Sequence, residues 1–362
     1  MASLTRRDAL QIVGMGAVGF GLDPRAVRAQ GLSVRKGAVI RTLFKDYAPE
    51  ELMGGATLFH EHLSLGPDFS DRFRSASQTV LAAQGIAVAA AGTAPPPAPQ
   101  GPDPMRNVEL MAQELRDAQH DGVACLVDAS LEGAGMDLKF IRDAAKMSGL
   151  PIVKGAGFYT QPFYPKSLAG MSEAQITQAL IRQADDYPAG AFGEIGSWDD
   201  ISPLERRVFR AVGKAHLATN LSIFTHTGIP GKSALEQLDI LEDAGVDPRR
   251  VAIGHLGNLN DSSLYVHKAV CRRGAYVGFD RQGSPRDTSV VPLVMGLIEA
   301  GFADHILVSG DASRGYARPI TVFVPKLKAA GADEATLHRI TVENPLRFLA
   351  FVPKRARAVS AG

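Results

Sequence analysis

The sequence predicts a (β/α)8 barrel from two observations. Eight short apolar runs, rich in β-forming residues, recur along the chain, and amphipathic helical stretches separate them. Strand and helix alternating eight times are typical of a parallel sheet that closes on itself. A doubly wound open sheet is the alternative, but it normally has a glycine-rich loop after its first strand, where this chain has HEHLSLG. The barrel is therefore the predicted fold.

The predicted strands end in small or polar residues, and clear helical patterns lie between several of them. The strands are expected at 55–62, 123–130, 151–159, 191–197, 221–228, 251–257, 275–281 and 305–311. The clearest helical patterns cover 106–120, 172–187, 202–220 and 232–245. Residues 76–104 break the alternation because they are rich in alanine, proline and glycine. That composition predicts a flexible or polyproline-like insertion after the first strand, with a lid over the barrel mouth as the alternative.

The composition is that of an ordinary globular protein of 362 residues, 45% hydrophobic and 21% charged. The formal net charge of +1 predicts no nucleic-acid partner and no affinity for an anionic membrane surface. Two cysteines, Cys125 and Cys271, are too few for a disulfide framework. Whether these two thiols form a single bridge is left open by the sequence.

The first 29 residues have the pattern of an export signal. Arg6 and Arg7 stand in a Thr-Arg-Arg-x-x-Leu motif, a Gly/Ala-rich apolar stretch follows, and the small-residue ending suits cleavage after Ala29. We expect residues 1–29 to be removed during export by the twin-arginine pathway. The mature protein would then be periplasmic or secreted, without a stable membrane anchor. The alternative is a short helix that stays attached.

Histidines and carboxylates recur at the predicted carboxyl ends of the strands, where the active sites of such barrels lie. His60 and His62 are two residues apart, so a strand would turn both to one side and Glu61 to the other. This arrangement suits two ligands of one metal ion. Equivalent strand-end positions hold Glu194, His226, His255 and Asp311. Six such side chains at one barrel mouth predict a metal centre, and the other five histidines are interpreted as structural.

In this order, the motifs HEH, FTHTG, IGHLG, GFDR and ILVSGD resemble those of the phosphotriesterase family of the amidohydrolase superfamily. The resemblance begins near residue 37 and reaches the C-terminal ENPLRFL, so a hydrolase domain is expected over 37–352, with a tail at 353–362. It implies two divalent ions, with zinc expected and Mn, Co or Fe as alternatives. The implied ligands of the more buried ion are His60, His62 and Asp311, and those of the more exposed ion are His226 and His255.

The resemblance also implies a side chain that bridges the two ions. The best-known members of the family use a carboxylated lysine on the fourth strand, whereas some members use a glutamate. In this chain the fourth-strand position, in AFGEIGS, is Glu194. Lys154 lies early in the third strand, short of its catalytic end, and is interpreted as a residue of the barrel interior or lower rim. Glu194 is therefore the expected bridging ligand.

The function implied by the resemblance is metal-dependent hydrolysis of a small molecule. A hydroxide bridging the two ions would be the nucleophile, and Asp311 would accept its proton and pass it to the leaving group. Phe158 and Tyr159 would form an aromatic wall of the substrate pocket, and Arg281 would contact the substrate. Plain packing is the alternative for Tyr159, and a salt bridge to a nearby aspartate is the alternative for Arg281.

Three functions are compatible with these residues. The leading one is hydrolysis of carboxylic esters, including lactones, with promiscuous cleavage of organophosphate triesters. The second is hydrolysis of N-acyl amides, because glutamate-bridged relatives in the resembled family include such enzymes. The third is a non-catalytic binding protein on the same barrel, which would predict a lost ligand, and none is missing. Many members of the family are homodimers, so a homodimer is one open oligomeric state.

Overall fold

Eight parallel strands form the central sheet, and strands that follow one another along the chain are neighbours in it. The computed structural model describes residues 32–83, 101–228, 231, 233–259 and 261–354. The strands are β1 (Ala56–Glu61), β2 (Val123–Asp128), β3 (Ile152–Ala156), β4 (Ala191–Gly196), β5 (Ser222–His226), β6 (Val251–Ile253), β7 (Tyr276–Phe279) and β8 (Ile306–Val308). Each lies within a predicted run and ends one to four residues before that run does.

The sheet closes between β1 and β8. The backbone N–H of Asp311 donates to the carbonyl of His60 (3.0 Å), and the N–H of His62 donates to the carbonyl of Ala312 (2.9 Å). The N–H of His60 donates to the hydroxyl of Ser309 (3.0 Å). These bonds join the two ends of the sheet, so the prediction of a (β/α)8 barrel is confirmed.

Helices connect successive strands. They are α1 (Phe69–Ala83) and α2 (Val108–His120) after β1, α3 (Leu138–Ser148) after β2, α4 (Glu173–Asp186) after β3, α5 (Pro203–Thr219) after β4, α6 (Ala234–Asp243) after β5, α7 (Tyr265–Arg272) after β6, α8 (Asp287–Glu299) after β7, and α9 (Val324–Ala329), α10 (Glu334–His338) and α11 (Asn344–Leu349) after β8. Two helices have a capping box at their N-terminus, in which side chain and backbone bond reciprocally. The pair is Ser172 and Gln175 in α4, and Ser202 and Glu205 in α5. A hairpin of Ile40–Arg41 with Asp46–Tyr47 precedes the barrel.

The hydrophobic core lies between the sheet and the surrounding helices. Phe192 and Ile223 on the strands pack in one cluster with Phe209 and Leu238 on the helices, and all four are completely buried. Burial of each such side chain contributes about 1.5–3 kcal/mol. This layer holds the strands in place and thereby sets the positions of the side chains at their ends.

Lys154, on β3, is completely buried inside the barrel. Its Nζ lies 3.1 Å from Oδ2 of Asp128 and donates to the carbonyls of Ser130 and Gly155. Burial lowers the pKa of Lys154, and the charge of Asp128 opposes that effect. These partners hold the ammonium group in the barrel interior, in agreement with the interpretation from the sequence.

Residues 76–83 depart from the expected flexible insertion because they form the second half of α1. The run SASQTVLAA contains neither glycine nor proline and includes three alanines and a leucine, which are strong helix formers. The average composition of 76–104 concealed this local preference. Residues 84–100, and the proposed export signal at 1–29, lie outside the described residues. Among the helices that the structure describes, none is both long and apolar enough to cross a membrane.

Both cysteines are buried free thiols. Burial raises the pKa of Cys125 to about 12 and that of Cys271 to about 12. Because the thiolate is the reactive form, we expect no rapid alkylation by iodoacetamide at pH 8 in the native protein. Mass spectrometry should show two modified thiols after unfolding without a reductant. Rapid native alkylation, or fewer than two thiols after unfolding, would contradict this assignment.

Candidate active site

Polar side chains converge at the mouth of the barrel, where the carboxyl ends of the strands meet. Asp280, which directly follows β7, lies there as well, and the described residues contain three overlapping groups that could each hold a metal ion. Each side chain lies in a strand or at most three residues beyond its end. The structure brings together all six residues that the sequence predicts as ligands, namely His60, His62, Glu194, His226, His255 and Asp311.

One group consists of His60, His62 and Asp311. Nε2 of His62 lies 3.0 Å from Oδ1 of Asp311, and Nε2 of His60 lies 3.7 Å from the same oxygen. Two donor atoms bound to one zinc ion at about 2.0–2.1 Å in a tetrahedral site are roughly 3.4 Å apart. The buried Nε2 of His60 has no hydrogen-bond partner among the described residues. A cation between these atoms would satisfy that nitrogen.

A second group consists of Glu194, His226 and His255. Oε2 of Glu194 lies 2.9 Å from Nδ1 of His226 and 3.2 Å from Nε2 of His255, and the two ring nitrogens are 2.8 Å apart. Burial and the neighbouring His255 lower the pKa of His226 to about 4, so its ring is neutral at pH 7, as metal binding requires. Glu194 also faces the first group, with Oε1 3.6 Å from Nε2 of His62 and Oε2 3.4 Å from Nε2 of His60.

Asp280 orients two of the histidines. Its carboxylate accepts from Nδ1 of His60 (3.0 Å) and from Nδ1 of His255 (2.8 Å), and also from the backbone N–H of His255 (3.0 Å). With both Nδ1 protons directed at Asp280, the Nε2 lone pairs face the cluster. Burial opposes ionisation of Asp280, but His255 and His60 hold its pKa below the usual range. Its place directly after a strand was the signal that could have revealed this role from the sequence.

We expect Asp280→Asn to weaken the binding of divalent ions about ten- to a hundredfold. The amide oxygen can accept from one ring, but the amide nitrogen cannot accept from the other, so one histidine loses its orientation. Competition with a chromophoric chelator measures the affinity, with the exposed Asp121→Asn as the control. Equal affinity in the two variants would contradict the orienting role.

The cluster contains three buried carboxylates. Glu194, Asp280 and Asp311 lie beside Arg281, whose Nε donates to Oδ2 of Asp311 (2.8 Å), and beside His60 and His255, whose pKa values these carboxylates raise although burial opposes it. Burial opposes ionisation of Glu194 and Asp311, but His60 beside the first and Arg281 beside the second hold both pKa values below the usual range. Three buried carboxylates need positive charge beside them, and divalent ions bound at the histidine nitrogens would supply it in place of histidine protons. The donor set therefore fits divalent ions.

Glu61 points away from the donor atoms, as its place between the two histidines predicts. Its carboxylate accepts from the hydroxyl of Ser309 (2.7 Å) and from the N–H groups of Gly310 (2.6 Å) and Ala312 (2.9 Å). Burial raises the pKa of Glu61 to about 8 in spite of these bonds. Glu61 thereby fixes the segment that carries Asp311, whose backbone adopts a left-handed φ of 48°.

A cavity of about 180 Å³ adjoins the cluster. Tyr159, which the sequence predicts as a substrate residue, lines this cavity, and its hydroxyl lies 3.1 Å from Nδ1 of His226. Phe69 and Phe73, one turn apart on α1, also line it, and their stacked rings are 6.0 Å apart. These two phenylalanines are not among the residues predicted from the sequence, although the FSDRF spacing places them on one helix face.

Phe158 lies apart from this cavity. It packs in the hydrophobic core, where its ring meets Tyr164 edge to face at 6.2 Å. Successive residues of an extended segment face opposite sides, so Tyr159 faces the cluster while Phe158 faces the core. Arg281 lines the cavity, and its hydrogen-bonded partner is Asp311. The cavity wall near β3 is therefore built from one of the two predicted aromatic residues.

The fold and the side-chain cluster together define a class of protein. It is the class of (β/α)8 barrels whose histidines and carboxylates can hold metal ions at the barrel mouth. The sequence profile of the phosphotriesterase family matches residues 48–349. The chain therefore belongs to the phosphotriesterase family, a family of metal-dependent hydrolases.

Two sequence relatives and one solved structure show the range of this family. The chain is 30% identical over 259 residues to the phosphotriesterase homology protein of Escherichia coli (strain K12). That alignment covers 66% of this chain and 88% of the relative. The chain is also 27% identical over 278 residues to N-acetyltaurine hydrolase of Homo sapiens. That alignment covers 68% of this chain and 78% of the relative. The crystal structure of a lactonase from Listeria monocytogenes matches with a TM-score of 0.70 at 25% sequence identity. The match covers 86% of this chain and 98% of the lactonase chain.

Proposed function

We propose that this protein is a two-metal hydrolase of carboxylic esters, including lactones. The observation that carries the proposal is the position of Glu194, whose two carboxylate oxygens face both donor groups beside an aromatic-lined cavity. A carboxylate in that position suits the bridging ligand of two ions. The proposed ligands of one ion are His60, His62 and Asp311, and those of the other are His226 and His255. Zinc is the proposed metal, and Mn, Co or Fe suit the same donors.

Divalent ions held there would activate water as the nucleophile and polarise the scissile carbonyl. Asp311 would accept the proton of the attacking water and return it to the leaving group. Arg281 keeps the carboxylate of Asp311 ionised and oriented through the bond from its Nε. The hydroxyl of Tyr159 is placed beside His226, where it can donate to a substrate oxygen. The rings of Phe69 and Phe73 supply apolar surface to the same cavity.

The solved lactonase supports the ester and lactone assignment. The N-acetyltaurine hydrolase supports amide hydrolysis as a second candidate, because N-acetyltaurine is an N-acyl amide. Both reactions pass through a tetrahedral centre at a carbonyl carbon, and the donor groups serve either. A phosphotriester has a tetrahedral centre of similar shape, so slow organophosphate hydrolysis is proposed as a minor activity.

A hydrolysis panel tests the proposal. The mature, metal-loaded protein is compared on lactones, aryl esters, N-acyl amino acids and an aryl phosphotriester through kcat/KM. We expect lactones or aryl esters to lead by about a hundredfold, which is about 2.7 kcal/mol of transition-state preference. A lead of the same size for N-acyl amino acids would instead establish the amide candidate. Equally slow cleavage of all four classes would contradict the ester proposal.

We also propose that residues 1–29 direct export through the twin-arginine pathway, since Arg6 and Arg7 occupy the paired positions of its motif. Replacing both arginines by lysine should leave the precursor in the cytoplasm of a bacterial host. Fractionation and N-terminal sequencing measure this outcome. Equal recovery of mature protein from the periplasm would contradict the proposal.

A further inference from the structure

A second cavity, of about 360 Å³, lies between the segments that follow β7 and β8. In the described part of the chain, no acidic side chain lines it. Its wall contains four arginines, Arg281, Arg286, Arg314 and Arg318. We refer to this cavity as the arginine pocket. A concave surface lined by four arginines and by no carboxylate is suited to an anion.

The positive charge of the arginine pocket is only partly balanced. Arg281 pairs with Asp311 (2.8 Å), and no carboxylate among the described residues lies within ion-pair distance of the other three arginines. Asp287, at the start of α8, is already bound by Nζ of Lys326 (2.7 Å) and the N–H of Gly283 (3.1 Å). Three of the four arginines that line the pocket therefore have no counter-charge from the described chain.

Contacts between the two segments hold the pocket in shape. Gly283 has a φ of +82°, and a Cβ there would lie 2.5 Å from Cβ of Arg318, so glycine allows this close approach. Nε of Arg318 donates to the carbonyl of Gly283 (2.8 Å), and Arg286 donates to the side-chain oxygen of Asn258 (3.0 Å). Since a guanidinium has five N–H donors, each arginine keeps further donors for a ligand.

The arginine pocket adjoins the catalytic cavity. Arg281 and Ala312 line both. A small molecule with its scissile group beside Glu194 can therefore extend past Arg281 into the arginine pocket. The two cavities together form a site with one end for bond cleavage and one end for charge recognition.

We propose that the arginine pocket binds an oxyanion of the substrate, that is, a carboxylate, sulfonate or phosphate group a few bonds from the scissile carbonyl. The guanidinium fork donates to two oxygens of such a group at once, which gives both affinity and orientation. Assigning the ligand as a substrate rests on the proposed hydrolase function. The preferred substrates would then be esters, lactones or amides that carry a negative charge.

The first test measures anion binding without turnover. Sulfate is titrated into the metal-loaded protein by calorimetry, with the double variant Arg314→Gln/Arg318→Gln and the control Arg272→Gln, an exposed arginine on α7. We expect the Kd for sulfate to rise at least about tenfold in the double variant and to stay unchanged in the control. Arg314→Gln alone should give part of the effect if the double variant is unstable. Equal affinity in all variants, or no binding by the wild type, would overturn the inference.

The second test uses two aryl esters with the same scissile bond, a neutral butyrate and a singly charged hemisuccinate. We expect the wild type to prefer the hemisuccinate in kcat/KM, and the ratio to fall at least about tenfold in the double variant. An unchanged ratio together with rapid cleavage of both esters would overturn the pocket assignment and leave the hydrolase intact. Tight, arginine-dependent sulfate binding without cleavage of either ester would instead count against the hydrolase and support the pocket.

Discussion

Replacing Glu194 by alanine is expected to abolish ester hydrolysis and to weaken the binding of divalent ions more than about a hundredfold. Glu194 places Oε2 3.2 Å from Nε2 of His255 and Oε1 3.6 Å from Nε2 of His62. The substitution removes a ligand from both proposed ions at once. It also removes one of the buried charges that call for cations in this cluster.

The matched control is Glu299→Ala, an exposed glutamate at the end of α8. Chelator competition gives the metal affinity, and ester turnover at saturating metal gives the activity. Glu194→Gln keeps the shape of the side chain but not its charge, so its metal affinity should lie between those of the wild type and Glu194→Ala. Wild-type affinity and turnover in Glu194→Ala would contradict the bridging role.

Asp311→Asn is expected to lower kcat about 10²- to 10⁴-fold while the protein stays folded. The amide keeps an oxygen that can bind a metal ion, but it cannot accept a proton at neutral pH. In the wild type, burial opposes ionisation of Asp311, but Arg281 and the neighbouring histidines together more than offset it, so the pKa of Asp311 lies below the usual range. The carboxylate is therefore ionised and available as the proton acceptor.

Measuring kcat and metal content on the same preparation separates the two roles of Asp311. Lost turnover with both ions retained would support proton transfer. Near-normal kcat would remove Asp311 from that role, and loss of ions together with activity would assign it to metal binding alone. Circular dichroism confirms that the variant is folded, and Asp304→Asn, an exposed aspartate near the amino end of β8, is the control.

Much of the site was predictable because parallel strands place their carboxyl ends at one rim. A histidine or carboxylate late in several of the apolar runs was enough to place Glu194 and His226 in the same cluster as His60. The role of Asp280 was harder to predict because it depends on two histidines from other strands. Nor does the sequence show the left-handed backbone of His255, which has a φ of 60°.

Side-chain direction near strand ends was the other obstacle. Phe158 and Tyr159 are adjacent aromatic residues, and the sequence contains no signal for which of them faces the mouth. The structure resolves this, because the ring of Tyr159 meets that of His226 at 4.9 Å. The aromatic wall contributed by α1 was hidden for a different reason. Phe73 reaches His226, with ring centroids 6.2 Å apart, only because the helix folds back over the barrel mouth.

The stoichiometry of bound metal tests the central claim most directly. Purified mature protein, dialysed against buffer treated to remove free metal, is measured by inductively coupled plasma mass spectrometry against protein concentration. The two donor groups joined by Glu194 predict two divalent ions per chain. Fewer than one ion per chain, after growth with supplemented metal, would contradict a two-metal hydrolase and favour a binding protein on the same barrel.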